Sequence, residues 1–99
     1  MEDGKTGGIN MACYIISYDL TGDKRNEYEA LYDAIKEYGS WAHITESTWA
    51  IVTIESPTEI REQLSKHMQD DDRLFVVKSG VAAAWQNVIC RNTWLKKNL

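Results

Sequence analysis

The sequence predicts a small α+β domain, and three observations carry that expectation. Four segments have the alternating or β-branched, aromatic-rich character of strands. Two others repeat their apolar residues every three or four positions, the period of a helix with one buried face. Their order along the chain is β-α-β-β-α-β. The length of 99 residues allows one domain, and a hydrophobic share of 43% suits a packed chain rather than a disordered one.

The first ten residues, "MEDGKTGGIN", show no periodicity, contain three glycines and run straight into a second methionine. They read as a disordered or added extension. Met11 then stands as the original start, and residues 11–99 form a single domain. "ACYIISYDL" (12–20) is apolar on both faces and bounded by Thr21-Gly22, as a central strand would be. "NEYEALYDAIKEYG" (26–39) places Tyr28, Leu31, Ile35 and Tyr38 on one helical face, and Gly39 is a natural stop. "SWAHITES" (40–47) sets Trp41, His43 and Thr45 on one face and Ala42 and Ile44 on the other. "TWAIVTIE" (48–55) is the clearer strand, joined to it by a short polar connection. Ser56, Pro57 and Glu59 spell an N-cap, a first helical residue and a capping box. The helix they open runs to about Met68, with Ile60, Leu64 and either His67 or Met68 inside. "RLFVVKSG" (73–80) reads as a short, buried strand. Val81, Trp85, Val88 and Ile89 have helical spacing, so the remainder reads as a helical tail, with Lys96 and Lys97 complementing its dipole. This order is that of a ferredoxin-like βαββαβ sandwich, four antiparallel strands with two helices on one face, here with a helical C-terminal tail. Many unrelated functions share that order, so it assigns none.

Fifteen acidic side chains face eleven basic ones, a net charge of −4, which weighs against tight nonspecific nucleic-acid binding but leaves room for a local basic patch. No apolar run reaches the ~18 residues of a membrane span, and the N-terminus lacks the basic-then-apolar pattern of a signal peptide. The two cysteines, Cys13 and Cys90, have no CxxC spacing and read as reduced thiols of a cytoplasmic protein. The two histidines, His43 and His67, form no HxxxH or HxH pair, which argues against a zinc hydrolase. Neither a GxSxG elbow nor a GxxxxGK phosphate loop is present. "QDDD" (69–72) lacks calcium-loop spacing and reads as a solvated turn.

What remains is Asp19, a carboxylate ending an apolar strand. Such a group either terminates the strand or serves as a metal ligand at its tip. One carboxylate makes a poor metal site, but a two-fold dimer would bring a second Asp19 to it. Lys24 and Arg25 follow in the loop, where they could hold phosphate or simply be solvated. Trp41, Trp49, Trp85 and Trp94 would stack bases if exposed on a sheet face, though such rings more commonly fill a core or a dimer interface.

"YIISYDLTGDKRNEYEALYDAIKEYG", with "ITESTWAIVT" and "DDRLFVVKSG", resembles the CRISPR-associated protein 2 family and the related virulence-associated protein D toxins. The resemblance covers roughly residues 12–80. It implies a ferredoxin-like homodimer whose two strand-end aspartates face each other and bind Mg²⁺ or Mn²⁺. It further implies either a metal-dependent ribonuclease or deoxyribonuclease, or a structural partner of an integrase. Asp19 matches the metal-binding, catalytic aspartate of the family. Tyr18 matches that aspartate's neighbour, Arg25 a basic loop residue, and Trp49 stands where the family commonly has Phe; with Lys24 these are the residues expected to contact RNA or DNA. Two alternatives stand beside the endonuclease: a non-catalytic binding or adaptor module, and a phage- or plasmid-borne regulator that binds a host protein through the tryptophan-containing tail.

Overall fold

The computed structural model describes residues 11–23, 27–80 and 82–99. Its elements are β1 (Ala12–Asp19), α1 (Glu29–Lys36), β2 (Ser40–Thr45), β3 (Thr48–Thr53), α2 (Pro57–Ser65), β4 (Arg73–Lys78) and α3 (Asn92–Asn98). The strands form one sheet in the order β2-β3-β1-β4, with every neighbouring pair antiparallel. The reading of residues 1–10 lies outside the described residues, as do Lys24, Arg25 and Val81.

Register fixes the two faces of the sheet. Ile16 lies opposite Trp49 and Tyr14 opposite Ile51, so the even residues of β1 share a face with the odd residues of β3. That face is the core side. Tyr14, Ile16, Tyr18, Trp49 and Ile51 pack there with Tyr28, Leu31 and Ile35 on the α1 side and Ile60 and Leu64 of α2. Tyr38 and Met68 pack at the margin of this cluster, so Met68 rather than the exposed His67 completes the α2 face.

The helix ends follow their sequence signals. Ser56 Oγ accepts from the Glu59 amide at 3.1 Å, and the Ser56 amide donates back to Glu59 Oε1 at 2.8 Å, completing the capping box. Gly39 has φ +94°, the left-handed conformation that ends α1. Helix α1 starts at Glu29, later than the pattern suggested, with Tyr28 as an N-cap that makes no side-chain capping bond.

Two expectations are corrected. β4 is not a buried strand. It is a sheet edge paired with β1 alone, and Phe75 and Val77 on its outer face are 62% and 40% exposed. The tail is not one helix from Val81. Residues 82–91 have no regular structure, Asn87 adopts a left-handed φ of 55°, and only α3 is helical. Helical spacing at 82–89 found no helix-long surface to bury against, and a short helix without such packing does not hold. Instead the chain returns to the edge strand β2. The Ile89 amide donates to the Ile44 carbonyl at 2.9 Å, and Leu95 of α3 is almost wholly buried. No helix among the described residues is long and apolar enough to cross a membrane.

Candidate functional site at one end of the sheet

The C-terminal end of β1 carries chemistry on both of its faces. Asp19 and Tyr18 are neighbours in a strand, so their side chains leave in opposite directions.

On the outer face, Asp19 lies opposite Arg73, and Arg73 Nη1 approaches Asp19 Oδ2 at 3.7 Å. Both side chains are mostly exposed. Among the described residues, no three His, Cys, Asp or Glu side chains gather as a metal ion would need. Among the described residues, then, Asp19 is a single carboxylate already facing a guanidinium, and that donor set does not fit a resident cation. A second carboxylate would have to come from another copy.

The loop after Asp19 is held by a residue that the reading of "QDDD" as a solvated turn passed over. Asp72 Oδ1 accepts from the Thr21 amide at 2.8 Å, the Thr21 hydroxyl at 2.9 Å and the Tyr28 hydroxyl at 3.0 Å. Its Oδ2 accepts from the Gln69 amide at 2.7 Å. Burial pushes the Asp72 carboxyl up, but the donated hydrogen bonds from Thr21, Gln69 and Tyr28 outweigh it and hold the group below 3.8. The Gly22 amide donates to Tyr28 Oη at 3.0 Å. A Cβ on Gly22 would stand 2.7 Å from Gln69 Nε2 and against Glu27 Oε1, the ends of two flexible side chains that would have to swing aside. The only sequence signal for this clamp is an Asp immediately before the final strand, and three adjacent aspartates conceal which one is bound.

On the inner face, Tyr18 enters an aromatic cluster. Trp49 Nε1 donates to Tyr18 Oη at 2.8 Å in the core, and Tyr18 in turn donates to the Glu46 carbonyl at 3.3 Å. The His43 ring stacks on Trp49 with centroids 4.1 Å apart and planes 12° from parallel. Tyr32 lies 6.2 Å from Trp49 at 20°, and Trp41 5.5 Å away at 51°. Lys36 Nζ sits 5.4 Å from the Trp41 ring centre, within cation–π range. Tyr18, Tyr32, Lys36, His43, Glu46 and Trp49 together line a recess of about 270 Å³.

The protonation states here follow from surroundings. Burial pushes the Tyr18 phenol up to about 12, against the lowering effect of the Trp49 N–H and with further raising by Tyr32 and Glu46. Burial likewise raises Tyr32, opposed by its hydrogen bond with Tyr18. Both phenols are therefore neutral hydrogen-bonding groups at neutral pH, not nucleophiles. His43 Nε2 is 3.1 Å from the Glu46 carbonyl. A carbonyl only accepts, so the Nε2–H of His43 donates to it.

Of the residues singled out by sequence, the structure brings Tyr18 and Trp49 together on one face and sets Asp19 on the other. Tyr18 and Trp49 are both buried, so a nucleic acid meets them only through the recess. Lys24 and Arg25 lie outside the described residues. Sequence reading missed the partnership of His43 with Trp49, although the alternation of 40–47 had already placed His43 on the Trp41 face. No family model matches the chain, and no solved structure matches it.

Proposed function

We propose that the protein is a ferredoxin-like homodimer that acts on RNA or DNA, in the manner of the CRISPR-associated protein 2 family its sequence resembles. The observation that carries this reading is Asp19. It ends a central strand of a sheet ordered β2-β3-β1-β4, it is exposed, and it does nothing for the core. That strand order is the one expected of a ferredoxin-like sandwich. A two-fold axis near the strand tip would pair the two Asp19 carboxylates and create a Mg²⁺ or Mn²⁺ site. Bound there, the ion would supply Lewis-acid chemistry toward a phosphodiester. The test is cleavage of single-stranded RNA and duplex DNA by wild type and Asp19→Ala, with Mg²⁺, with Mn²⁺ and with chelator. Metal-dependent cleavage lost in the variant supports a phosphodiesterase.

A second reading rests on Arg73. Its guanidinium already balances Asp19, which favours a non-catalytic dimer that binds nucleic acid or bridges an integrase-type or host protein. Affinity for nucleic acid without turnover under any metal condition would select it.

A further inference from the structure

The recess on the inner face is used by neither reading of Asp19. Four of its six lining residues are rings, Tyr18, Tyr32, His43 and Trp49. Its volume of about 270 Å³ falls below the range of pockets for larger organic ligands and suits one flat ring system. Polar groups converge on the same space. Tyr32, the His43 ring and Glu46 border it, while the Tyr18 hydroxyl is already engaged by Trp49 and the Glu46 carbonyl. A nucleobase edge presents the matching mixture of donors and acceptors. At one side stands Lys36, which forms no ion pair among the described residues and rests on the Trp41 ring. An ammonium so placed disfavours a cationic guest, and the apolar walls disfavour a bare inorganic anion. Both conditions are met by a flat heterocycle tethered to a phosphate.

We propose that the recess between α1 and the β2–β3 hairpin binds one nucleotide, its base against Tyr32, His43 and Trp49 and its phosphate on Lys36. The guest is either the end of a nucleic-acid strand or a free mononucleotide. Only the first source rests on the function proposed above.

Calorimetric titration of the full chain with the four nucleoside 5′-monophosphates, the matching nucleosides and inorganic phosphate tests the assignment. The monophosphates are expected to saturate one site per chain. Nucleosides should bind about tenfold more weakly, the effect of one charge-assisted contact, and inorganic phosphate should not saturate. Lys36→Met keeps an apolar stem over Trp41 and removes the charge. It should bring nucleotide affinity down to that of the nucleoside and leave the nucleoside unaffected. Tyr32→Ala should weaken both by about tenfold through lost stacking. Circular dichroism checks that the variants are folded, and Lys36→Met alone decides if Tyr32→Ala is not. No saturation by any monophosphate up to about 5 mM, a range that would register even weak binding, overturns the proposal. So does unchanged nucleotide affinity in folded Lys36→Met. Competition by a short 5′-phosphorylated oligonucleotide makes a strand end the guest. If mononucleotides bind and the oligonucleotide does not compete, the recess assignment stands for a free nucleotide and the nucleic-acid function loses its support.

Discussion

Tyr18 and Trp49 satisfy each other inside the core. The indole N–H has one buried acceptor, Tyr18 Oη at 2.8 Å, and water cannot replace it there. Tyr18→Phe keeps the ring packing and strands that donor. The expected cost is about 1–3 kcal/mol in urea unfolding, the penalty of a buried group left unpaired. Asp72 is a different case, because its partners are backbone amides and hydroxyls that fix the loop after Asp19. Asp72→Ala should cost about 2 kcal/mol at pH 7, the scale of hydrogen bonds to a charged acceptor. The pH dependence follows in sign. The folded-state value lies below 3.8, so the stabilisation is present above that pH and is lost as the pH falls through the folded-state value. Wild type and Asp72→Ala should therefore converge in stability once the pH falls below the folded-state value. A difference that persists at low pH would mean that Asp72 acts through packing rather than charge.

At the scale of elements, legibility depended on whether local chemistry alone decides the outcome. Ser56, Pro57 and Glu59 form a helix start by contacts within four residues, so α2 could be read directly. The face of α1 was equally plain, because Leu31 and Ile35 needed only the helical period. β4 and the tail could not be read the same way. Whether "RLFVVK" is central or an edge depends on which strands pair, a long-range fact that its apolar run does not encode. Whether 82–91 is helical depends on a surface to pack against, and the chain found the β2 edge instead. The aromatic recess was hidden for a related reason. It joins β1, α1, β2 and β3 residues, and single-segment patterns show none of those meetings. α3 offers a prediction at this scale. It has seven residues, too few to persist alone, yet Leu95 is 1% exposed. Leu95→Ala should then cost about 2–4 kcal/mol by denaturant unfolding, as a buried leucine does when truncated. A change under about 0.5 kcal/mol, the range of surface substitutions, would show that the tail is not part of the cooperative unit.

At the scale of the whole molecule, the two faces of the sheet are unequal. The inner face is closed by α1 and α2, while the outer face is closed near β2 and β3, where Ala42 and Ala50 are buried, and open at β4. The described chain is thin, 42 × 30 × 19 Å, and a domain of this size buries a limited share of its surface. Association in a homodimer would add to it, and sedimentation at tens of micromolar (a range chosen for weak self-association) should give about twice the 11.3 kDa chain mass. The function proposed for Asp19 requires that dimer, since one carboxylate beside Arg73 is not a cation site. Asp19→Ala separates the possible roles because its structural cost is small. The Asp19–Arg73 pair is mostly exposed on both sides, and such pairs contribute about 0–1 kcal/mol. The variant should therefore unfold at nearly the wild-type urea midpoint and keep the same sedimentation mass. Against that unchanged background, loss of Mg²⁺- or Mn²⁺-dependent cleavage identifies Asp19 as the catalytic carboxylate. Cleavage that survives in Asp19→Ala is not this protein's strand-tip chemistry. A variant that becomes monomeric instead would place Asp19 in the dimer contact, and the loss of cleavage would then follow from the lost dimer.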